Sequence, residues 1–225
     1  MMLSLPNCGT DWLCEMLARC SGLAYFRKEF FNPMTNQKCP LLERAFGCEL
    51  VSCYRHIAAP LNHGIADKIY HQEWLRSGCN FDKEVYSACH VDWFAQRFEV
   101  VVMTRPETGV FPPSRLRVWQ WYDAMWRSLV DAGGERVQAA SPDLQVRCRL
   151  AYRSLVDKLL QSARDLHLPI IDYQVLIVGS QSEIADMLSC AMRNRLDIDR
   201  ATAAILRSRR SIPKQLPPCD SAFVH

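Results

Sequence analysis

Short runs of consecutive apolar residues alternate along the chain with longer stretches in which apolar residues recur every three or four positions. These are the signatures of buried strands and of amphipathic helices. The first run, Leu3 to Leu5, predicts a short buried strand. It passes through Pro6-Asn7-Cys8-Gly9 directly into a helical pattern over Asp11 to Ala18, where Trp12, Leu13, Met16 and Leu17 share a face, and Gly22 supplies the stop. Tyr25 to Phe31 is extended or loop, closed by Asn32-Pro33. Cys39 to His56 predicts a helix interrupted near Gly47, and Ala66 to Arg76 a helix ending at Ser77-Gly78. Glu84 to Ala88 predicts a short strand, and Val91 to Arg97 a short helix or turn. Phe98 to Thr104 (FEVVVMT) is the clearest strand, and its unbroken apolar centre suits a strand buried on both faces of a parallel sheet. Beyond Arg105-Pro106 a loop runs to Pro112-Pro113. A long helix then starts at Ser114 and stops at Gly133-Gly134. Pro142 to His167 predicts another helix, Leu168 to Asp172 a further core strand, and Ser180 to Arg193 and Ile198 to Arg209 two more helices.

Alternating strands and helices predict an α/β fold, a central parallel sheet flanked by helices. One domain is expected over residues 1–211, followed by a Pro-containing tail over 212–225. A length of 225 residues is ordinary for such a domain, and 49% hydrophobic with 23% charged residues excludes a disordered chain. A net charge of +3, from 27 basic and 24 acidic residues, is too small to imply a nucleic-acid or membrane surface. No stretch approaches the roughly 20 apolar residues of a membrane span. No basic region precedes the apolar start as it would in a signal peptide. The expectation is a soluble cytoplasmic protein with neither a nucleic-acid partner nor a membrane span. The 11 cysteines are scattered without a CxxC pair, which reads as buried thiols rather than a disulfide framework or zinc ribbon. His63 and His71 lack zinc-ligand spacing, so no metal is expected.

Three places carry candidate chemistry. The turn Asn7-Cys8-Gly9-Thr10 lies between a strand and a helix, where unpaired amides and the helix dipole suit an anion. It is not a Walker A loop, because GxxxxGK[ST] is missing, and this disfavours a P-loop kinase. A simple strand-to-helix turn with Asp11 as a helix-start residue is the other reading. Arg105 ends the best strand, and Ser114 starts the next helix, so both suit one phosphate. Alternatively, Arg105 pairs with Glu107. His90 follows the strand at Glu84 to Ala88 and suits a general base, or is a structural histidine.

In this order the three pieces resemble the sulfotransferase family that uses 3′-phosphoadenosine 5′-phosphosulfate. The family's phosphosulfate loop, a pattern like PKSGTTW, is matched by LPNCGTDWL. Its catalytic histidine in a KTH-like stretch is matched by SACH, and its strand leading to an arginine by FEVVVMTRP. A serine follows that arginine nine residues on, against eight in the family. IDYQVLIVGSQSEIADML is similar to a later family segment. The resemblance implies a parallel α/β sheet related to the P-loop nucleotide kinases. It implies 3′-phosphoadenosine 5′-phosphosulfate as co-substrate without a metal, and transfer of a sulfuryl group to a hydroxyl of a carbohydrate or small metabolite. Cys8, Gly9, Thr10 and Asp11 would line the 5′-phosphosulfate, Thr10 also through its hydroxyl, with Trp12 near the nucleotide. Arg105 and Ser114 would hold the 3′-phosphate, and His90 would take the acceptor proton.

The chain departs from the pattern at two loop positions. Asn7 stands in place of the loop lysine, as the catalytic-position residue, and Asp11 replaces the second threonine. These departures keep open a catalytically impaired nucleotide-binding module of the same fold. Lys28, Lys38 and Lys68 are candidate replacement cations. Arg207, Arg209 and Arg210 are candidates for the family's C-terminal basic motif, or simply a solvated helix end. The acceptor and the oligomeric state are not legible in the sequence.

Overall fold

The computed structural model describes residues 1–26, 29, 31, 39–47, 57, 59–85, 87–112, 114–131, 143–192 and 196–209. Four strands, β1 (Met2–Ser4), β2 (Lys83–Glu84), β3 (Val101–Thr104) and β4 (Ile170–Asp172), form one parallel sheet in the order β2-β1-β3-β4. Leu3 pairs with Val102, and Val102 with Ile170. The expected α/β class is therefore present, with every sheet pairing parallel.

Side-chain alternation along the strands divides the core. Leu3, Leu5 and Val102 face one side, where they meet α2 (Cys39–Phe46), α3 (His63–Ser77), α4 (Val91–Ala95), α6 (Leu116–Asp131) and α7 (Leu144–Asp165). Met2, Val101, Met103 and Ile171 face the other, against α1 (Thr10–Ser21), α8 (Tyr173–Val178), α9 (Gln181–Met192) and α10 (Ile198–Arg209). Each inner strand is buried on both faces, which is why its sequence reads as an unbroken apolar run.

Helix ends follow local rules. α1 ends at Gly22, which adopts φ 71, and its N–H bonds back to the Ala18 carbonyl. α3 starts at Asn62, whose side chain accepts from the Ile65 amide, and α7 at Asp143, which accepts from Gln145 and Val146.

Several boundaries differ from the sequence expectation, each for a local reason. β2 is shorter and earlier than Glu84 to Ala88. The Glu84 carboxylate accepts from the Ser87 amide at 3.2 Å, and the His90 amide bonds to the Ser87 carbonyl at 2.9 Å, so the chain turns before the run ends. Phe98 to Val100 precedes β3, because the Phe98 amide still bonds to the Phe94 carbonyl of α4. A short helix, α5 (Glu107–Val110), occupies the expected loop after Arg105. α8 was not anticipated. α6 begins two residues after Ser114, since the Arg115 amide first closes a turn on the Pro112 carbonyl. The segment 48–56 of the long helix expected from Cys39, and the tail from residue 210, lie outside the described residues.

The chain leaves β1 into α1 on one face and leaves β3 into α5, α6 and α7 on the other. β1 and β3 are neighbours, so their carboxyl ends flank the crevice in which parallel α/β sheets bind ligands.

One buried acid tunes stability. Asp82 is fully buried before β2, and burial pushes its carboxyl up to about 8, outweighing the opposing pull of Lys83. An acid whose folded-state pKa lies above its unfolded one holds an extra proton when folded. Stability then falls as pH rises from about 4 to about 8. Asp82→Asn, which mimics the protonated acid, is expected to raise the melting temperature more at pH 8 than at pH 5. Equal shifts in a two-pH melting series would contradict this.

Candidate anion-binding site

The turn after β1 is shaped by two left-handed residues, Asn7 at φ 63 and Gly9 at φ 89. Asparagine is among the few side chains that tolerate this region. Gly9 is needed for a second reason, because a Cβ there would lie 2.5 Å from Cε2 of Tyr173. Cys8 and Thr10 are buried. Burial pushes the Cys8 thiol up to about 12, so it stays neutral. The Thr10 hydroxyl shares a 2.7 Å hydrogen bond with that of Ser4, which takes up part of its hydrogen-bonding capacity. What the turn offers a ligand is mainly backbone. The amides of the first turn of α1 have no intrahelical acceptor and lie at the positive end of the helix dipole.

The loop after β3 closes on this turn. Arg105 donates from Nη1 to the Asn7 carbonyl at 3.0 Å, and its guanidinium lies 4.4 Å over the Tyr173 ring. Asn7 donates from Nδ2 to the Val110 carbonyl at 2.6 Å and accepts at Oδ1 from Arg115 Nη1 at 3.0 Å. Tyr122 donates to the Pro6 carbonyl at 2.9 Å, and Tyr152 to the Arg105 carbonyl. Glycine is required once more. A Cβ on Gly109 would stand 2.6 Å from Arg105 Nε. The alternative pairing of Arg105 with Glu107 is not formed. Glu107 instead pairs with Arg149 at 3.3 Å and Arg153 at 2.5 Å.

Asp11 is paired rather than alone at the turn. Lys83, buried at the end of the sheet, lies 3.0 Å from the Asp11 carboxylate and also bonds to Glu29. Burial works against the Lys83 charge, but Glu29 and Asp11 together outweigh it and hold the ammonium protonated. Among the cations considered from sequence, Lys28 and Lys38 lie outside the described residues, and Lys68 is exposed on α3. Lys83 and Arg115 were not singled out. Their positions follow from sheet register and from the turn before α6, which no local motif announces.

Trp12 donates from Nε1 to Ser208 at 2.8 Å and meets Tyr173 edge-on at 6.1 Å. With Met16, Arg19, Ala204 and Arg207 it lines a groove of about 410 Å³ between α1 and α10. Arg209 donates to the carbonyls of Val175, Leu176 and Gly179 and so caps α8. Of the C-terminal arginines, Arg209 is thus structural, Arg207 faces the groove, and Arg210 lies outside the described residues.

His90 has other surroundings. It precedes α4, with its ring 5.9 Å from that of Phe46, and the charges that bear on it are Lys158, Asp92 and His63. Burial, then Lys158, lowers its pKa to about 4, so the imidazole is neutral at pH 7. None of these neighbours belongs to the turn or to Arg105. Ser114 is exposed, one residue before Arg115, whose side chain reaches Asn7. Of the sequence-selected residues, the structure therefore joins Asn7 directly to Arg105, with the rest of the turn 8–12 alongside. Ser114 approaches only through its neighbour.

No family model, curated protein or solved structure matches the chain. No helix among the described residues is long and apolar enough to cross a membrane. The described residues contain no group of three or more histidine, cysteine or acidic side chains placed to hold a metal.

The turn geometry is testable against an internal control. Gly22 also has a positive φ, 71, but open space beyond it. Gly22→Ala is expected to cost about 1 kcal/mol of backbone strain. Gly9→Ala adds the clash with Tyr173 and is expected to cost on the order of 3 kcal/mol. Urea denaturation giving equal losses for the two variants would contradict the close Gly9–Tyr173 approach.

Proposed function

We propose that the protein is a sulfotransferase-like transferase that binds 3′-phosphoadenosine 5′-phosphosulfate at the carboxyl ends of β1 and β3. One observation carries this reading: Arg105 Nη1 lies 3.0 Å from the Asn7 carbonyl, so the arginine after β3 meets the turn after β1. The fit of the residues to a doubly phosphorylated nucleotide rests on three further points. Arg105 has no carboxylate partner among the described residues. Lys83, shared with Glu29, pairs with Asp11 and draws its carboxylate aside. The path from Arg105 over Tyr173 to Trp12 and Arg207 is lined by cations and aromatic rings, which suit phosphate and a nucleobase.

In this reading the amides of residues 8–11 and Arg105 bind the nucleotide's anionic groups. The nucleotide supplies a sulfuryl group that leaves a phosphate oxygen for an acceptor hydroxyl. The protein's contribution is orientation and charge stabilisation. His90 is the acceptor's base in this reading only if the acceptor reaches it from the turn, because its neighbours are Phe46, Lys158 and Asp92, and a pKa of about 4 leaves it neutral but weakly basic.

A second reading, a nucleotide-binding module without transfer activity, is favoured by one feature. Both ends of the Asn7 amide are engaged by protein groups, so Asn7 offers a ligand no charge and only the second N–H of its Nδ2. Radiolabelled sulfate transfer to a panel of hydroxyl acceptors separates the two. Transfer by the natural protein supports the enzyme, and transfer only by Asn7→Lys supports the module.

Calorimetric titration with adenosine 3′,5′-bisphosphate tests the site itself. Binding is expected, and Arg105→Ala is expected to weaken it at least tenfold, about the loss of one charge-assisted hydrogen bond. Equal affinity in the variant would remove Arg105 from the site.

A further inference from the structure

We propose that Arg115 is a second anion-contacting residue, held over the turn by the Asn7 side chain, so that one phosphate or sulfate group is received between the guanidiniums of Arg105 and Arg115. The inference rests on the anion site of the preceding reading, but not on its nucleoside.

Two positive charges converge on one residue. Arg105 donates to the Asn7 carbonyl and Arg115 to the Asn7 side-chain oxygen, each at 3.0 Å. Both acceptors are neutral, so neither bond cancels a charge. Several other arginines sit on carboxylates. Arg149 and Arg153 share Glu107, Arg127 and Arg147 share Asp123, and Arg97 pairs with Asp67. Neither Arg105 nor Arg115 has a carboxylate partner among the described residues. Two guanidiniums anchored to one residue without a counter-charge repel, and a tetrahedral dianion between them removes that cost.

The geometry is also fixed. Asn7 is locked by its φ of 63 and by the 2.6 Å bond from Nδ2 to the Val110 carbonyl, so Oδ1 acts as a rigid post. The Arg115 backbone is set by its amide bond to the Pro112 carbonyl at 3.1 Å, while its side chain is exposed. The contact with Asn7 uses one of the five donors of the guanidinium and leaves the others for an oxyanion. Asn7 is accordingly a positioning residue that acts through Arg115.

The test uses the full chain and two probes, pyrophosphate and adenosine 3′,5′-bisphosphate. Arg115→Ala is expected to weaken binding of both about tenfold with an unchanged melting temperature, because the side chain is exposed. Asn7→Gly keeps the left-handed backbone and removes the post, so it is also expected to weaken binding. The double variant should then bind within about twofold of Arg115→Ala, since both changes remove the same contact. Pyrophosphate binding by Arg115→Ala within twofold of the natural protein would overturn the inference. So would a natural protein that binds neither probe at millimolar concentration, or a double variant whose losses simply add. Pyrophosphate binding that depends on Arg115, with no binding of the bisphosphate, would uphold Arg115 and overturn the nucleotide reading.

Discussion

The junction at Asn7 is the point on which the site depends. One residue in a left-handed conformation accepts from Arg105 at its backbone carbonyl, donates from its side-chain Nδ2 to the Val110 carbonyl and accepts from Arg115 at its side-chain oxygen. Three bonds tie the loop after β1 to the segment after β3. They fix the two loops against each other beyond the β1–β3 pairing, although their helices leave toward opposite faces of the sheet. The aromatic side chains beneath reinforce the junction. Tyr122 and Tyr152 each direct a hydroxyl to a backbone carbonyl of the two loops, and their rings pack edge to face at 5.8 Å.

Charge placement follows the same plan. A buried lysine, Lys83, takes up the carboxylates of Asp11 and Glu29 on the α1 side of the turn. Glu107 is drawn away from Arg105 by Arg149 and Arg153 of α7. Each acidic group that sequence proximity would set against an anion is thereby paired with a cation from another element. Arg105 and Arg115 are left as positive charges at the rim. A buried ion pair is weak evidence for stability, because desolvation offsets most of its attraction. Its value here is electrostatic, keeping negative charge from dominating the turn.

Much of the fold was legible in the sequence because its strands are buried on both faces. FEVVVMT is short and rich in β-branched residues, which marks it as a strand, and the Gly22 and Gly78 stops fall where the helices end. β2 was misplaced because Glu84 and Ser87 turn the chain through side-chain bonds that the apolar pattern of Glu84 to Ala88 does not record. α8 was missed because six residues are too few for a helical period to stand out. At the site, the turn and Arg105 were readable from strand-end position alone. Tyr173 over Gly9, Lys83 beside Asp11 and Arg115 on Asn7 were not, since each joins segments at least 72 residues apart, and tertiary register, not local spacing, brings them together. The Thr10 hydroxyl, expected as a ligand contact, also bonds to Ser4, which the turn motif does not announce.

The central claim is that an anion is bound where the loops after β1 and β3 meet. A crystal structure of the full chain with adenosine 3′,5′-bisphosphate measures this most directly. The account predicts phosphate density within hydrogen-bonding distance of the Arg105 guanidinium, with the Asn7 turn intact beside it. Phosphates bound at another rim of the sheet, with Arg105 still bonded only to protein groups, would contradict it.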